Sequence, residues 1–133
     1  MVAHPDTGKP ASVLIVEDEA LIASLIDAVL EISGFRVVGI AGSGPEALVL
    51  AAETRPALAL VDIQLNGPWD GTELAYLLRD RLAIPAIFVS GVVDRKILQR
   101  AKAARPLGFI AKPFSPSQVF NAIERALGQA AAS

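Results

Sequence analysis

Val13-Leu14-Ile15-Val16-Glu17-Asp18-Glu19 is the stretch on which the reading of this chain turns. Four consecutive apolar residues, with no polar alternation, suit a strand covered on both faces, as in a parallel sheet. Three carboxylates follow at once, so charge collects where that strand ends. The same form recurs downstream. Apolar runs at Phe35–Ile40, Leu58–Val61, Ala86–Val89 and Phe109–Ala111 alternate with helical patterns. Leu21, Ile22, Leu25, Ile26, Val29 and Leu30 make one face of a first helix that stops at Gly34. A second helix starts near Pro45 and runs to Thr54, and a third carries Leu74, Leu77, Leu78 and Leu82. A fourth, about Asp94 to Ala104, has a thin stripe of Ile97, Leu98 and Ala101. The last has Ser115 as N-cap, Pro116 in the first position and Gln118 completing a capping box, with Val119, Phe120, Ile123 and Leu127 facing the core. The order is (βα)5, which predicts an α/β, doubly wound open parallel sheet, and if its strand order is 2-1-3-4-5 the first and third strands are neighbours.

Composition limits the chemistry. At 133 residues, 53% of them apolar and 20% charged, the chain suits one folded domain and not a disordered one. Cysteine is absent and the single histidine, His4, lies in a Pro/Gly/Lys-containing leader, which excludes disulfides, thiolate metal sites and histidine clusters. No stretch resembles a signal peptide or a membrane span, so a cytoplasmic location is expected. The domain is expected to cover residues 11–128, with flexible ends at 1–10 and 129–133. The net charge of −2 is unevenly divided: residues 1–80 hold 12 acids and 4 bases, residues 81–133 hold 2 acids and 8 bases.

In open α/β sheets ligands bind beyond the carboxyl ends of the strands, at the switch point of strand order. Glu17 and Asp18 end the first strand, Asp62 the third, Ser90-Gly91 the fourth and Lys112-Pro113 the fifth. With strands one and three adjacent, Glu17, Asp18 and Asp62 converge. Three carboxylates so close need a cation, and an oxygen-only donor set selects a hard divalent ion, Mg²⁺ foremost. Lys112 reaches an anion held above Asp62, Ser90 offers a hydroxyl donor to the same group, and Gly91 leaves room for it. Glu19 alone is read as a helix-start carboxylate favoured by the dipole.

These residues resemble the receiver domain of bacterial two-component response regulators, of the stand-alone, single-domain type. The matching pieces are Val16-Glu17-Asp18-Glu19, Val61-Asp62-Ile63, Asp70-Gly71, Phe88-Val89-Ser90-Gly91 and Gly108-Phe109-Ile110-Ala111-Lys112-Pro113-Phe114. The resemblance implies a flavodoxin-like receiver fold and phosphorylation of Asp62 by a sensor histidine kinase or histidine phosphotransfer protein, with Mg²⁺. It implies Asp18 as a direct metal ligand, Glu17 through a water, and the backbone carbonyl of Gln64 as a further ligand. Ser90 and Lys112 would contact the phosphoryl group, Ser90 and Phe109 would act as the switch pair, and the Lys112-Pro113 peptide would be cis. Ser90 stands where threonine is commoner, Phe109 where tyrosine is, and Glu17 where aspartate is. The loop from Gln64 to Gly71 is one residue longer than the family's usual form.

Arg95, Lys96, Arg100, Lys102 and Arg105 lie between the fourth and fifth strands with only Asp94 opposing them, and Arg95, Lys96, Arg100, Lys102 and Phe109 form the expected partner face, made by the fourth helix, fifth strand and fifth helix. Signalling would run through a downstream protein partner acting in trans, as regulator, phosphorelay shuttle or phosphate sink, with scope for a phosphorylation-dependent dimer. Neither nucleic acid nor membrane is an expected partner. Enzymatic turnover is not expected beyond self-phosphorylation and slow autodephosphorylation. Three rival readings are weaker. Gly42-Ser43-Gly44-Pro45-Glu46-Ala47 fits a dinucleotide fingerprint, but after the wrong strand and with a proline that removes an N–H. An aspartyl-phosphate phosphatase would need an acid where Gln64 stands. An unphosphorylated binding module would have no use for a full acceptor set.

Overall fold

The computed structural model describes residues 10–91 and 94–132, and the side chains of residues 10–91 and 94–128. The strands are β1 (Ser12–Val16), β2 (Arg36–Ala41), β3 (Leu58–Asp62), β4 (Ala86–Ser90) and β5 (Gly108–Ala111). Between and after them lie α1 (Ala20–Ile32), α2 (Gly44–Thr54), α3 (Gly71–Leu82), α4 (Arg95–Ala103) and α5 (Pro116–Ala132). The five strands form one parallel sheet, as the alternation of runs predicts, in the order β2-β1-β3-β4-β5. His4 and the leader to residue 9, with Ser133, lie outside the described residues. The backbone of α5 continues to Ala132.

The uninterrupted apolar runs follow from a sheet covered twice. On β1, Val13 and Ile15 enter one core layer and Leu14 and Val16 the other. Strand β3 divides the same way, Leu58 and Leu60 against Ala59 and Val61, because successive side chains point to opposite faces. Helices α1 and α5 close the first layer, and α2, α3 and α4 the second. Each fully buried Leu or Ile contributes about 1.5–3 kcal/mol relative to exposure.

Local signals set the helix ends. Gly34, at φ 90°, reverses the chain after α1, and the Phe35 N–H returns to the Leu30 carbonyl at 2.9 Å. Ser43 Oγ accepts from the Glu46 N–H at 3.3 Å, so the Gly42–Ala47 segment caps α2 and shows no sign of cradling a phosphate. Asp94 Oδ1 caps α4. Ser115 and Gln118 complete their box: Ser115 N–H donates to Gln118 Oε1 at 2.7 Å, and Gln118 N–H to Ser115 Oγ at 3.3 Å.

Two expectations about packing are corrected. Leu21 and Leu25, read as core residues of α1, are 86% and 54% exposed. Ala23, Ile26, Val29 and Leu30 occupy the side that meets the sheet, and Leu21 and Leu25, one turn apart, stand on its flank. In α4 only Ala101 is buried, and Leu98 of its expected stripe is exposed.

Candidate functional site

Strand β1 delivers the first carboxylate while still in the sheet. Glu17 N–H donates to the Ala41 carbonyl on β2, which holds the residue on the ladder, and its side chain is buried. Asp18, the next residue, is half-buried. Asp62 ends β3 and is also buried. Ligand oxygens of Glu17, Asp18 and Asp62 all lie within 4.8 Å of one another, as the adjacency of β1 and β3 requires.

One cation enters this group. Lys112 follows β5, where its N–H donates to the Ser90 carbonyl at 2.9 Å. Its Nζ donates to Glu17 Oε1 at 3.0 Å and to Asp62 Oδ2 at 3.3 Å. Three carboxylates share one ammonium, so the pocket retains negative charge. Burial raises the Glu17 carboxyl above its usual 4.5, against the opposing pull of Lys112 and the Glu19 N–H. Burial also pulls the Lys112 ammonium down, but Glu17 and Asp62 together outweigh it and hold the group above 10.5. A pocket of oxygen donors with surplus negative charge fits a hard divalent cation held by Glu17, Asp18 and Asp62.

The two oxygens of Asp62 have different surroundings. Oδ1 accepts the Gln64 N–H at 3.0 Å, and Oδ2 faces Lys112. Gln64 thus meets the site through its N–H. Ser90 is one residue beyond Val89, the register partner of Asp62. It is buried, and its Oγ has no hydrogen-bond partner, an uncommon state for a buried hydroxyl. A Cβ added at Gly91 would meet nothing within 4 Å, so space lies open beside it. The Lys112-Pro113 peptide is cis, as the resemblance implies.

The loop after β3 is tied at both ends. Gly71 N–H donates to the Ile63 carbonyl at 2.8 Å, and a Cβ on Gly71 would collide with the Asp62 carbonyl oxygen. Within the loop, Asn66 N–H donates to Asp18 Oδ2 at 3.1 Å. Trp69 packs against Gly44, at the start of α2, as well as beside α3. Asp70 caps α3: Oδ1 accepts from Thr72 N–H, Thr72 Oγ1 and Glu73 N–H, while Glu73 returns to the Asp70 N–H. Oδ2 of Asp70 pairs with Arg100 on α4 at 3.1 Å.

That pair corrects the reading of the basic face. Asp94 is not the one acid opposing it, because Arg100 is tied across to Asp70. Arg95, Lys96 and Lys102 are exposed as expected, and Phe109 is 47% exposed with its ring centroid 5.7 Å from that of Phe88. Three contacts have no counterpart in the sequence reading: Asn66 to Asp18, Asp70 to Arg100, and the close seating of Gly71. The Asp70-x-x-Glu73 spacing does carry a capping-box signal, but nothing local to residue 70 points to residue 100.

Residues 13–124 match the family described as the response regulator receiver domain. The transcriptional regulatory protein PdtaR of Mycobacterium tuberculosis is 34% identical over 124 residues, a match that covers 93% of this chain and 60% of that protein. The phyllosphere-induced regulator PhyR of Methylorubrum extorquens is 37% identical over 116 residues, covering 86% of this chain and 43% of that protein. The chain thus spans about half the length of these relatives. Among solved structures, the signal receiver domain of a modulated diguanylate cyclase from Desulfovibrio desulfuricans superposes with a TM-score of 0.89 at 38% identity, covering 93% of this chain and 98% of that one. Sheet order, acidic pocket and family match agree, and the chain is a member of the response regulator receiver family of two-component signal transduction.

Proposed function

We propose that the domain accepts a phosphoryl group on Asp62 from a phosphohistidine of a sensor kinase or phosphotransfer protein. In that step the donor N–P bond breaks and an Asp62 O–P bond forms, and the histidine leaves neutral after taking up a proton. The observation that carries the reading is the arrangement of one buried aspartate, two further carboxylates and a single lysine around the same point. A carboxylate is a weak nucleophile, so the site contributes positioning and charge neutralisation. Asp18, Asp62 and the Gln64 carbonyl would hold a divalent cation directly and Glu17 through a water, and such an ion would further neutralise phosphoryl oxygens. Lys112 binds one phosphoryl oxygen, and the unpartnered Ser90 Oγ donates to another.

The same hydroxyl supports a switch. As Ser90 moves toward the phosphoryl group it vacates space, and Phe109, now half-exposed, turns inward to fill it. The surface of α4, β5 and α5 then presents a different face to a protein partner. The output controlled in this way lies outside the receiver itself. Chemistry is confined to loading and slow loss of the phosphoryl group, with no substrate turned over. The donor has an apolar seat, since Ile22, Leu25, Pro113 and Phe114 line a cavity of about 350 Å³ beside Lys112, and Leu21 stands exposed one turn before Leu25. Among the described residues no helix is long and apolar enough to cross a membrane, in keeping with a cytoplasmic place of action.

Intact-mass analysis after incubation with acetyl phosphate and Mg²⁺ tests the reading. One added phosphoryl group is expected, absent in Asp62→Asn and absent when EDTA replaces Mg²⁺. No addition, or an addition that survives Asp62→Asn, overturns it.

A further inference from the structure

The chain contains one tryptophan and one tyrosine, and both line the same cleft. It lies between α3 and α4, away from the acidic pocket, with a volume of about 480 Å³. Trp69, Tyr76 and Leu77 give it an apolar wall, and Arg81 and Arg100 bring guanidinium groups to it. Tyr76 is half-exposed. The cleft continues along the same two helices into a second cavity of about 380 Å³, where Arg79, Asp80 and Arg105 lie beside the shared Tyr76 and Arg79 donates to the Arg105 carbonyl at 3.1 Å.

Trp, Tyr and Arg are the side chains that dominate protein interfaces when they cluster in a pocket. The charges decide which partner fits. Glu73 is engaged with the Asp70 N–H, and Arg100 pairs with Asp70, but among the described residues Arg81 has no ion-pair partner. Arg81 lies in the last turn of α3 and is exposed. Four arginines against two acids, Glu73 and Asp80, leave the aromatic cleft net positive, which favours negative charge flanking an apolar group.

We propose that this cleft docks an acidic protein segment, which inserts one aromatic or aliphatic anchor between Trp69 and Tyr76 and pairs its carboxylates with Arg81 and Arg100. Arginine binds carboxylates through two parallel hydrogen bonds, which fixes register as well as charge.

The test is a peptide-display selection on the folded domain, counter-selected on the Tyr76→Ser/Arg81→Glu double variant. Both positions are exposed, and circular dichroism confirms that the variants fold. The expected peptides carry Asp or Glu around a Leu, Phe or Trp, and quench or shift Trp69 fluorescence. Each single variant should weaken them about tenfold or more. Replacing the facing peptide carboxylate by lysine should restore binding to Arg81→Glu. Failure to enrich any peptide, enrichment of neutral or basic ones, or binding indifferent to both substitutions overturns the proposal.

Discussion

Strand β3 and helix α4 both border functional surfaces, yet they are held in opposite ways. Every residue of β3 is buried, and its last one is Asp62. Helix α4 has one buried residue, Ala101, and most of its other side chains are exposed, Arg95, Lys96, Arg100 and Lys102 among them. Where charge must meet charge within a few ångströms, the chain is clamped on both sides by core. Where it faces outward, burial is thin, and segments with few buried contacts open at low free energy. The acidic pocket is thus a fixed geometry, and α4 is the element best able to change its position.

Measurements on both regions sharpen or break that contrast. The largest effect belongs to the clamped side: Leu60→Ala should cost about 2–5 kcal/mol in urea denaturation. A value below that range would mean the strand is less constrained than its burial suggests. Next comes the lysine. Lys112→Ala leaves Glu17 and Asp62 facing each other without a counter-charge, a loss of about 1–3 kcal/mol that Mg²⁺ should largely reverse in thermal melts. Without metal, the raised Glu17 carboxyl means that the folded chain binds more protons than the unfolded one just above pH 4.5. Its contribution to stability therefore falls as pH rises through that window, while the thermal shift from Mg²⁺, which binds the ionised form, should grow. Lys112 acts at the other end of the scale: its contribution holds below 10.5 and is lost as pH rises past its elevated value.

Smaller effects come from the link between the two regions. Asp70→Ala removes a helix cap as well as an ion pair and should cost about 1–2 kcal/mol. Arg100→Ala removes only the exposed pair, worth about 0–1 kcal/mol. Chemical denaturation of both variants separates the cap from the tether. The smallest change is Leu98→Ala on α4, expected within about 0.5 kcal/mol of the parent. Hydrogen exchange should show α4 amides opening well before those of β3, and equal protection would dissolve the contrast.

The clamped region is also the legible one. Apolar runs with a polar residue at the carboxyl end announce buried parallel strands, so Glu17, Asp18, Asp62 and Lys112 stand out in the amino-acid sequence itself. Caps at Ser43, Asp94 and Ser115 are readable because their partners lie three residues away. The less legible features depend on tertiary placement. Helical periodicity shows how wide an apolar stripe is, not which part of it the sheet covers, so it turns Leu21 and Leu25 inward when the fold leaves them outside. The Asn66 contact uses a backbone N–H, which has no side-chain signature. Arg100 meets an acid 30 positions earlier, a crossing that no local pattern encodes.

The Gly71 contact with Ile63 has a consequence for how such a domain can diverge. With its two ends bonded to each other, the segment from Gln64 to Asp70 is a closed excursion. A residue added or removed inside it alters the excursion but leaves β3 and the start of α3 in register. Asp62 ends β3 and Gly71 opens α3 on either side of it. The length of the excursion is thus separate from the placement of Asp62. Gly71 itself has no such freedom, because any side chain there would collide with the Asp62 carbonyl oxygen.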